Sequence, residues 1–471
     1  MWPYFAGPAA ALFACALAGW PLNAAASFDL FSTEQRLADG QFAENGGAAA
    51  CPKDKIGSLL ALADVVELAL CNNPQTRSAW ANARAQAAQL GSSVSSYLPT
   101  LSGPISVSSS RSQTGATTTD SSQQSIGVTA SYLLYDFGGR AAGVENAKQL
   151  LVAANAARDE MLQSAFLSAV QSYYALLSAR ASVQSYLAAE NAASKSLDAA
   201  QARYKAGTAT QADRLQAQTA QSQAVLNRIR AEGEAANAQG ELANAMGFDA
   251  SQPFELAPVP DSTPDPVAEQ SMGELLERAR RSRPDLLAAE AQIKAAEASL
   301  AAIKASGLPV FTLSGTLSRS KSQAGGASST SFGNSVGVQV SVPWFSGFKD
   351  TYRNRASQAQ LESTTAERDR VANRIALEVW KAYQALLTNS HALRAAEDLV
   401  ASADQSEKMA LGRYKAGIGS ILDTLTAQST LASANQQRVA ALYNFMASKF
   451  ALAQAIGQLD LTMLGTREKY D

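Results

Sequence analysis

The chain has 471 residues, 46 % of them apolar and 17 % charged, and its 39 Lys and Arg against 41 Asp and Glu leave a formal net charge of −2. So little charge, so evenly balanced, excludes a nucleic-acid binder held by electrostatics. The apolar content likewise excludes a disordered polymer.

Met1 to Ala26 carries no charged side chain, and the apolar run from Ala9 to Trp20 is too short for a bilayer core of about 30 Å. It ends in Ala24-Ala25-Ala26-Ser27, a small-x-small cleavage pattern, so residues 1–26 are expected to be an export signal peptide. Cys15 follows Leu12-Phe13-Ala14, a loose match to a lipoprotein box, but the bulky Phe13 and the apolar stretch beyond Cys15 argue against lipidation. The extension 27–61 follows. A mature exported chain keeps Cys51 and Cys71, for which a disulfide is one expectation and two buried thiols the other.

Residues 62–100 read as helices, with Pro74 at a helix start. Residues 101–135 read as a hairpin. Ile126, Val128, Ala130, Tyr132 and Leu134 share one face, while Gly127, Thr129 and Ser131 share the other; Leu101, Ile105 and Val107 oppose Ser102 and Ser106 in the partner strand. Strands of about ten residues are expected, joined by a polar loop from Ser108 to Gln124. One apolar and one small-polar face suits a strand of an outer-membrane barrel. A soluble, half-buried hairpin has the same period. The absence of Lys and Glu from the apolar faces, and the aromatics Tyr97, Tyr132, Tyr135 and Phe137 at the strand ends, favour the membrane.

Residues 136–247 form a predicted helical hairpin. Its first arm, Gly139 to Ala206, lacks proline, shows apolar residues near period 3.5, and would be about 100 Å long. It turns at Ala206-Gly207-Thr208. Residues 248–271 hold five prolines and read as a linker. A second copy then follows at an offset of 210: helices over 272–308, a hairpin over 309–345 with a loop from Ser318 to Asn334, a helical hairpin over 346–457, and a tail over 458–471. Arg203-Tyr204-Lys205-Ala206-Gly207 recurs identically as Arg413 to Gly417, Asp213 falls on Asp423, and Met246-Gly247 falls on Ile456-Gly457.

No catalytic motif interrupts this plan. His391 lies in a helical stretch without ligand-spaced Cys, Asp or Glu, so neither an enzyme nor a bound metal is expected. No segment is apolar for 18 residues, so membrane insertion would have to use strands. Four strands cannot close a barrel, since barrels begin at about eight, so two or three chains would have to share one wall.

Asn73-Pro74 and Arg283-Pro284-Asp285-Leu286, Tyr97-Leu98-Pro99, Tyr135-Asp136-Phe137-Gly138-Gly139, and the duplicated Arg-Tyr-Lys-Ala-Gly turn followed six residues later by Asp form one set. In this set the chain resembles the TolC-like outer-membrane channel proteins over roughly residues 60 to 460. The resemblance implies a mainly α, internally duplicated fold with a membrane β part. A homotrimer would close a twelve-stranded barrel in outer-membrane lipid above a long α-helical coiled-coil barrel in the periplasm. It implies no cofactor and no nucleic acid. Partners would be a periplasmic adaptor and an inner-membrane pump, either an ABC transporter or a proton-driven exchanger.

By the same resemblance, the adaptor would dock on the tip residues Ala206, Gly207, Thr208, Ala416, Gly417 and Ile418. Asp213 and Asp423 would ring the periplasmic gate, and Tyr414 would hold it closed by hydrogen bonding. Read locally, the two glycines are helix C-caps, and Thr210-x-x-Asp213 and Ser420-x-x-Asp423 are capping boxes; the two readings are compatible. Gly419 stands where some members carry an arginine, and Thr426 replaces a second acid, so a clasp through Arg203, Arg413 or Lys415 is an alternative. The extension bearing Cys51 and Cys71 ahead of Asn72-Asn73-Pro74 is similar to the cyclolysin-exporting branch, which implies type I protein secretion. Multidrug efflux is the alternative within the class, and a soluble periplasmic coiled-coil scaffold the alternative outside it.

Overall fold

The structure, a computed structural model, describes residues 29–37, 59–115, 117–257, 271–324, 327–460 and 463. The segment 1–26 with Cys15, the position of Cys51, and most of the linker and tail lie outside these. The chain divides into two compact units. One takes Arg84–Leu151 and Ala295–Ala359 with the N-terminal residues to Asp39; the other takes Gly40–Ala83, Val152–Lys294 and Gln360–Asp471.

The first copy runs α1 (Leu62–Asn72), α2 (Pro74–Val94), β1 (Thr100–Ser102), β2 (Ile105–Thr114), β3 (Thr117–Tyr135), α3 (Gly139–Lys205) and α4 (Gln211–Ala245). The second runs α5 (Met272–Ser282), α6 (Pro284–Ala305), β4 (Val310–Ala324), β5 (Ala327–Ser341), α7 (Lys349–Lys415) and α8 (Ile421–Ala455). The two longest helices both have 67 residues. Each ends in an Arg and a Lys, Arg203 and Lys205 or Arg413 and Lys415, where cations suit the negative end of the helix dipole. Among the described residues no helix is long and apolar enough to cross a membrane.

All strands lie in one antiparallel sheet, with β3 paired to β1 and β2 on one side and to β4 on the other, and β5 paired to β4. The first strand is split because Pro104 has no N–H to give the ladder; its carbonyl still accepts from Gly127 N–H at 3.0 Å. A bulge between Leu133 and Tyr135 brings Tyr135 opposite Phe311, their rings 6.4 Å apart.

The strands exceed the expected ten residues. β3 has 19, β4 and β5 have 15 each, and most of the expected loops Ser108–Gln124 and Ser318–Asn334 are paired backbone. These extensions hold few apolar residues, Phe332 the one large side chain among them, so alternation could not reveal them. They are held instead by the ladder and by hydroxyl pairs at 2.7 to 2.8 Å, Ser106–Ser125, Ser110–Ser121, Ser320–Ser331 and Ser322–Ser329.

The sheet's two faces differ as the alternation predicts. Register puts Leu101, Ile105, Val128, Leu317, Val336 and Val338 on one face and Ser106, Ser125, Thr129, Thr316, Ser314 and Ser131 on the other. The apolar face is bare: Leu101 is 74 % exposed and Val336 83 %. At the helix end Trp344 is 91 % exposed and Phe345 and Phe348 are stacked edge to face. The turn into α3 is fixed by Asp136, whose Oδ2 accepts from Arg140 N–H at 2.6 Å, while the Arg140 guanidinium lies over Tyr97.

In the helical unit each copy builds its own core from equivalent residues. Val65 and Ala69 pack with Leu176, Leu242 and Met246 in the first; Leu275 and Ala279 pack with Leu386, Leu452 and Ile456 in the second. Phe254 and Leu256, within the segment read as linker, are buried in the first core, and Leu60 N–H donates to the Glu255 carbonyl at 2.9 Å. Phe450 and Leu459 from the second copy join that first core as well.

Each return helix ends on a glycine pressed against the junction of the two short helices. Gly247 (φ +81°) leaves no room for a Cβ, which would lie 2.6 Å from the Asn72 carbonyl carbon. Gly457 (φ +72°) repeats this at Ser282, at 2.7 Å.

At the second junction sits an ion network. Arg283 clamps Asp285 through Nε and Nη2 at 2.9 and 2.8 Å, and its Nη2 also donates to Glu378 at 2.7 Å. Arg374 reaches the same Asp285 carboxylate at 3.0 Å. The side chains of Arg283 and Asp285 are each only 5 % exposed.

Candidate functional site at the helical tip

The sequence RYKAG folds identically at both turns. Gly207 N–H donates to the Tyr204 carbonyl and Thr208 N–H to that of Arg203; Gly417 N–H and Ile418 N–H do the same with Tyr414 and Arg413, all at 2.9 to 3.0 Å. This is the Schellman closure, and the glycines supply its left-handed residue at φ +73° and +80°. Ala206, Gly207, Thr208, Ala416, Gly417 and Ile418 are all exposed, Ile418 to 73 %.

The return helices begin differently. Thr210 and Asp213 form a complete capping box: Thr210 Oγ1 accepts from Asp213 N–H at 3.2 Å, and Asp213 Oδ2 accepts from Thr210 N–H at 2.8 Å. The second box expected from Ser420 and Asp423 does not form. Ser420 Oγ turns one residue earlier and accepts from Leu422 N–H at 3.1 Å, leaving Asp423 exposed, with no hydrogen bond or ion pair among the described residues. The two aspartates are therefore unequal. Asp213 is committed to its cap, whereas the Asp423 carboxylate is available to solvent and ions.

The two turns are brought together by Arg203. Its Nη1 donates to the Tyr414 carbonyl at 2.9 Å, its guanidinium lies over the Tyr414 ring at 4.7 Å, and Nη2 abuts Gly417. Tyr414 is buried with Ala200, Ala217 and Ile421, and among the described residues its hydroxyl finds no hydrogen-bond partner. The contact made here thus uses the Tyr414 carbonyl and ring, through one of the three cations weighed for an alternative clasp. Gly419 suits this packing, because a Cβ there would lie 3.0 Å from Arg413 and Tyr414 atoms and the turn would have to give by a few tenths of an ångström. In the first copy Tyr204 is partly exposed under Arg214 instead, at 5.2 Å. The Arg203 contact spans the two repeats and has no local sequence signal.

Cys71, in α1, is disulfide-bonded. Among the described residues no cluster of His, Cys, Asp or Glu is arranged to hold a metal.

A strand sheet apolar on one face and hydroxyl-lined on the other, on a chain whose helices reach 67 residues, defines a protomer of an outer-membrane channel with a helical tunnel. Residues 65–248 and 275–458 each match the outer membrane efflux protein family, and the chain belongs to that family. It is thus an outer-membrane channel protein with a periplasmic helical part, not an enzyme. The soluble-scaffold alternative is overturned by the same match. The chain is 29 % identical over 409 residues to protein CyaE of Bordetella pertussis, covering 87 % of this chain and 86 % of that protein. It is 27 % identical over 401 residues to outer membrane efflux protein BepC of Brucella suis, covering 84 % of each. The fold matches the crystal structure of the outer membrane protein VceC of Vibrio cholerae with a TM-score of 0.71 at 20 % identity, over 84 % of this chain and 96 % of that one.

Proposed function

We propose that the protein is the outer-membrane duct of a type I protein-secretion machine and works as a homotrimer. The observation that carries the channel reading is the sheet itself, with one bare apolar face and outer edges on β2 and β5 that are unpaired among the described residues. Lipid tolerates no open edge, so three protomers of four strands close a twelve-stranded barrel with the hydroxyl face inward. Helix residues such as Leu377, Trp380 and Met409, each more than half exposed, supply apolar surface for neighbouring protomers.

In this assembly the exposed tips, 206–208 and 416–418, receive a periplasmic adaptor, and an inner-membrane ABC transporter drives export. Support for the secretion branch comes from the extension with Cys51 and Cys71 and from the similarity to CyaE. We assign Cys51 as the disulfide partner of Cys71, closing a loop of about twenty residues that contributes about 3 kcal/mol. Similarity to BepC favours the second reading, multidrug efflux with a proton-driven pump. Deleting the gene distinguishes them: loss of one large protein from the culture medium at unchanged drug resistance supports secretion, and the reverse pattern supports efflux.

The gate is tested by single-channel conductance in planar bilayers. Asp423→Ala is expected to lower cation preference, because its carboxylate carries an unpaired charge at a constriction. Asp213→Ala mainly removes a helix cap worth about 1 kcal/mol and leaves selectivity nearly unchanged. Arg203→Ala frees the two turns from one another and is expected to raise the conductance. If all three match wild type, the tip is not the gate.

A further inference from the structure

The two hairpins carry one acid, Asp120, and three cations, Arg111, Arg319 and Lys321. Asp120 is bound by Arg111 at 2.5 Å, so the excess charge falls on Arg319 and Lys321, both exposed and neither in an ion pair among the described residues. Contrary to the expectation that the apolar faces hold no Lys, both stand on the apolar face, in the part of β4 read as loop: Arg319 is aligned with Ile126 and Phe332, and Lys321 with Gln124 and Thr330. They belong to β4, which is paired on both sides, so closure of the barrel does not cover them.

Arg319 marks the upper limit of the apolar belt on β4. Beyond it toward the hairpin turns, the aligned positions are polar except Val107, which lies level with Lys321. Arg319 itself lines a shallow groove of about 540 Å³ together with Ile126, Val128, Leu317, Phe332 and Asn334. Its guanidinium lies over the Phe332 ring at 5.2 Å. Two residues apart on one strand face, the cations are spaced about 7 Å, close enough for one phosphate group to meet both.

We propose that each protomer binds a phosphorylated lipid of the outer leaflet here, with an acyl chain in the groove and a headgroup phosphate between Arg319 and Lys321. A cation at the edge of an apolar belt is costly to leave facing lipid unless it meets an anion, and none of the described residues provides one. The hairpin turns lie at the end of the sheet opposite the helices, so in the channel reading, on which this inference rests, the pair is at the outer surface.

The test is native mass spectrometry of the detergent-purified full-length oligomer, incubated with micelles containing lipid A bearing two phosphates or the same lipid with both removed. Wild type is expected to retain the phosphorylated form on the order of tenfold better, from charge attraction by two cations. The Arg319→Gln/Lys321→Gln variant should fall to the level of the dephosphorylated lipid, whereas Arg111→Gln/Asp120→Asn should bind as wild type does. Excess inorganic phosphate should displace little, because it has no chain for the groove; full displacement would mean a free-anion site and overturn the proposal. Equal retention of both lipids by wild type would also overturn it, and that comparison needs no variant to assemble. Failure of the channel reading would register separately, as protein missing from outer-membrane fractions.

Discussion

Gly457→Ala is expected to abolish assembled protein or to lower the oligomer's melting temperature far more than Gly207→Ala, although both replace a left-handed glycine with the same residue. The backbone conformations are nearly equal, φ +72° and +73°, so the strain of adding a Cβ in the left-handed region, about 1–2 kcal/mol, is common to both. Surroundings make the difference. Nothing lies within 4 Å of a Cβ at Gly207, but at Gly457 it would be 2.7 Å from the Ser282 carbonyl carbon and 2.9 Å from Arg283 N. Those are main-chain atoms at a helix junction and cannot rotate away, so overpacking adds about 1–3 kcal/mol or more. Gly247→Ala should behave like Gly457→Ala. Thermal loss of the detergent-stable oligomer, followed by gel mobility, measures all three; equal shifts would mean that the junction yields and that the close approach carries no weight.

The second large effect is expected at Arg283. Replacing it with Ala removes the bidentate partner of a buried carboxylate and leaves Asp285 with the Leu286 N–H at 3.0 Å and one ion-pair partner, Arg374, whose side chain is 43 % exposed. Breaking a buried pair from one side costs about 3–5 kcal/mol. Arg280→Ala, one turn away, removes only a surface pair with Glu277 and should cost less than about 1 kcal/mol. The effect has a characteristic pH dependence. Burial opposes ionisation of Asp285, but the hydrogen bonds and charge of Arg283, followed by those of Arg374, outweigh it and hold the carboxyl below its ordinary value. A carboxyl depressed in the folded state contributes stability that is present above its unfolded pKa of about 3.9 and is lost as pH falls through the folded pKa. The stability gap between wild type and Arg283→Ala is therefore expected to be full at neutral pH and to shrink below about pH 4. A gap independent of pH would assign the loss to packing of the arginine stem.

Much of this protein can be read from its sequence because its chemistry is written in contrasts. The uninterrupted stretch from Gly139 to Ala206 has no proline and keeps its apolar period, and it is one helix to within a residue. Ile126 to Leu134 alternates apolar with small or polar side chains, and the face it marks is the bare face of the sheet. Where contrast is absent, the sequence is silent. Ser108 to Gln124 is polar apart from Gly115 and Ala116, so nothing distinguishes a paired strand from a loop until the ladder is seen. Phe254 and Leu256 sit among prolines, whose composition conceals that two side chains drop into a core. At the tip, the glycine turns are legible from RYKAG, but Arg203 meets Tyr414 across 211 positions, and the failure of Ser420 to complete its box depends on one rotation of a hydroxyl.

Phe450, Ala453 and Leu459 join a core otherwise built from residues between Leu60 and Leu256. The amino-terminal half of the chain is translated and delivered first, yet part of its core packing waits for residues 450–459. A chain cut short before residue 450 is therefore expected to be less stable in both halves, including the half that is fully present.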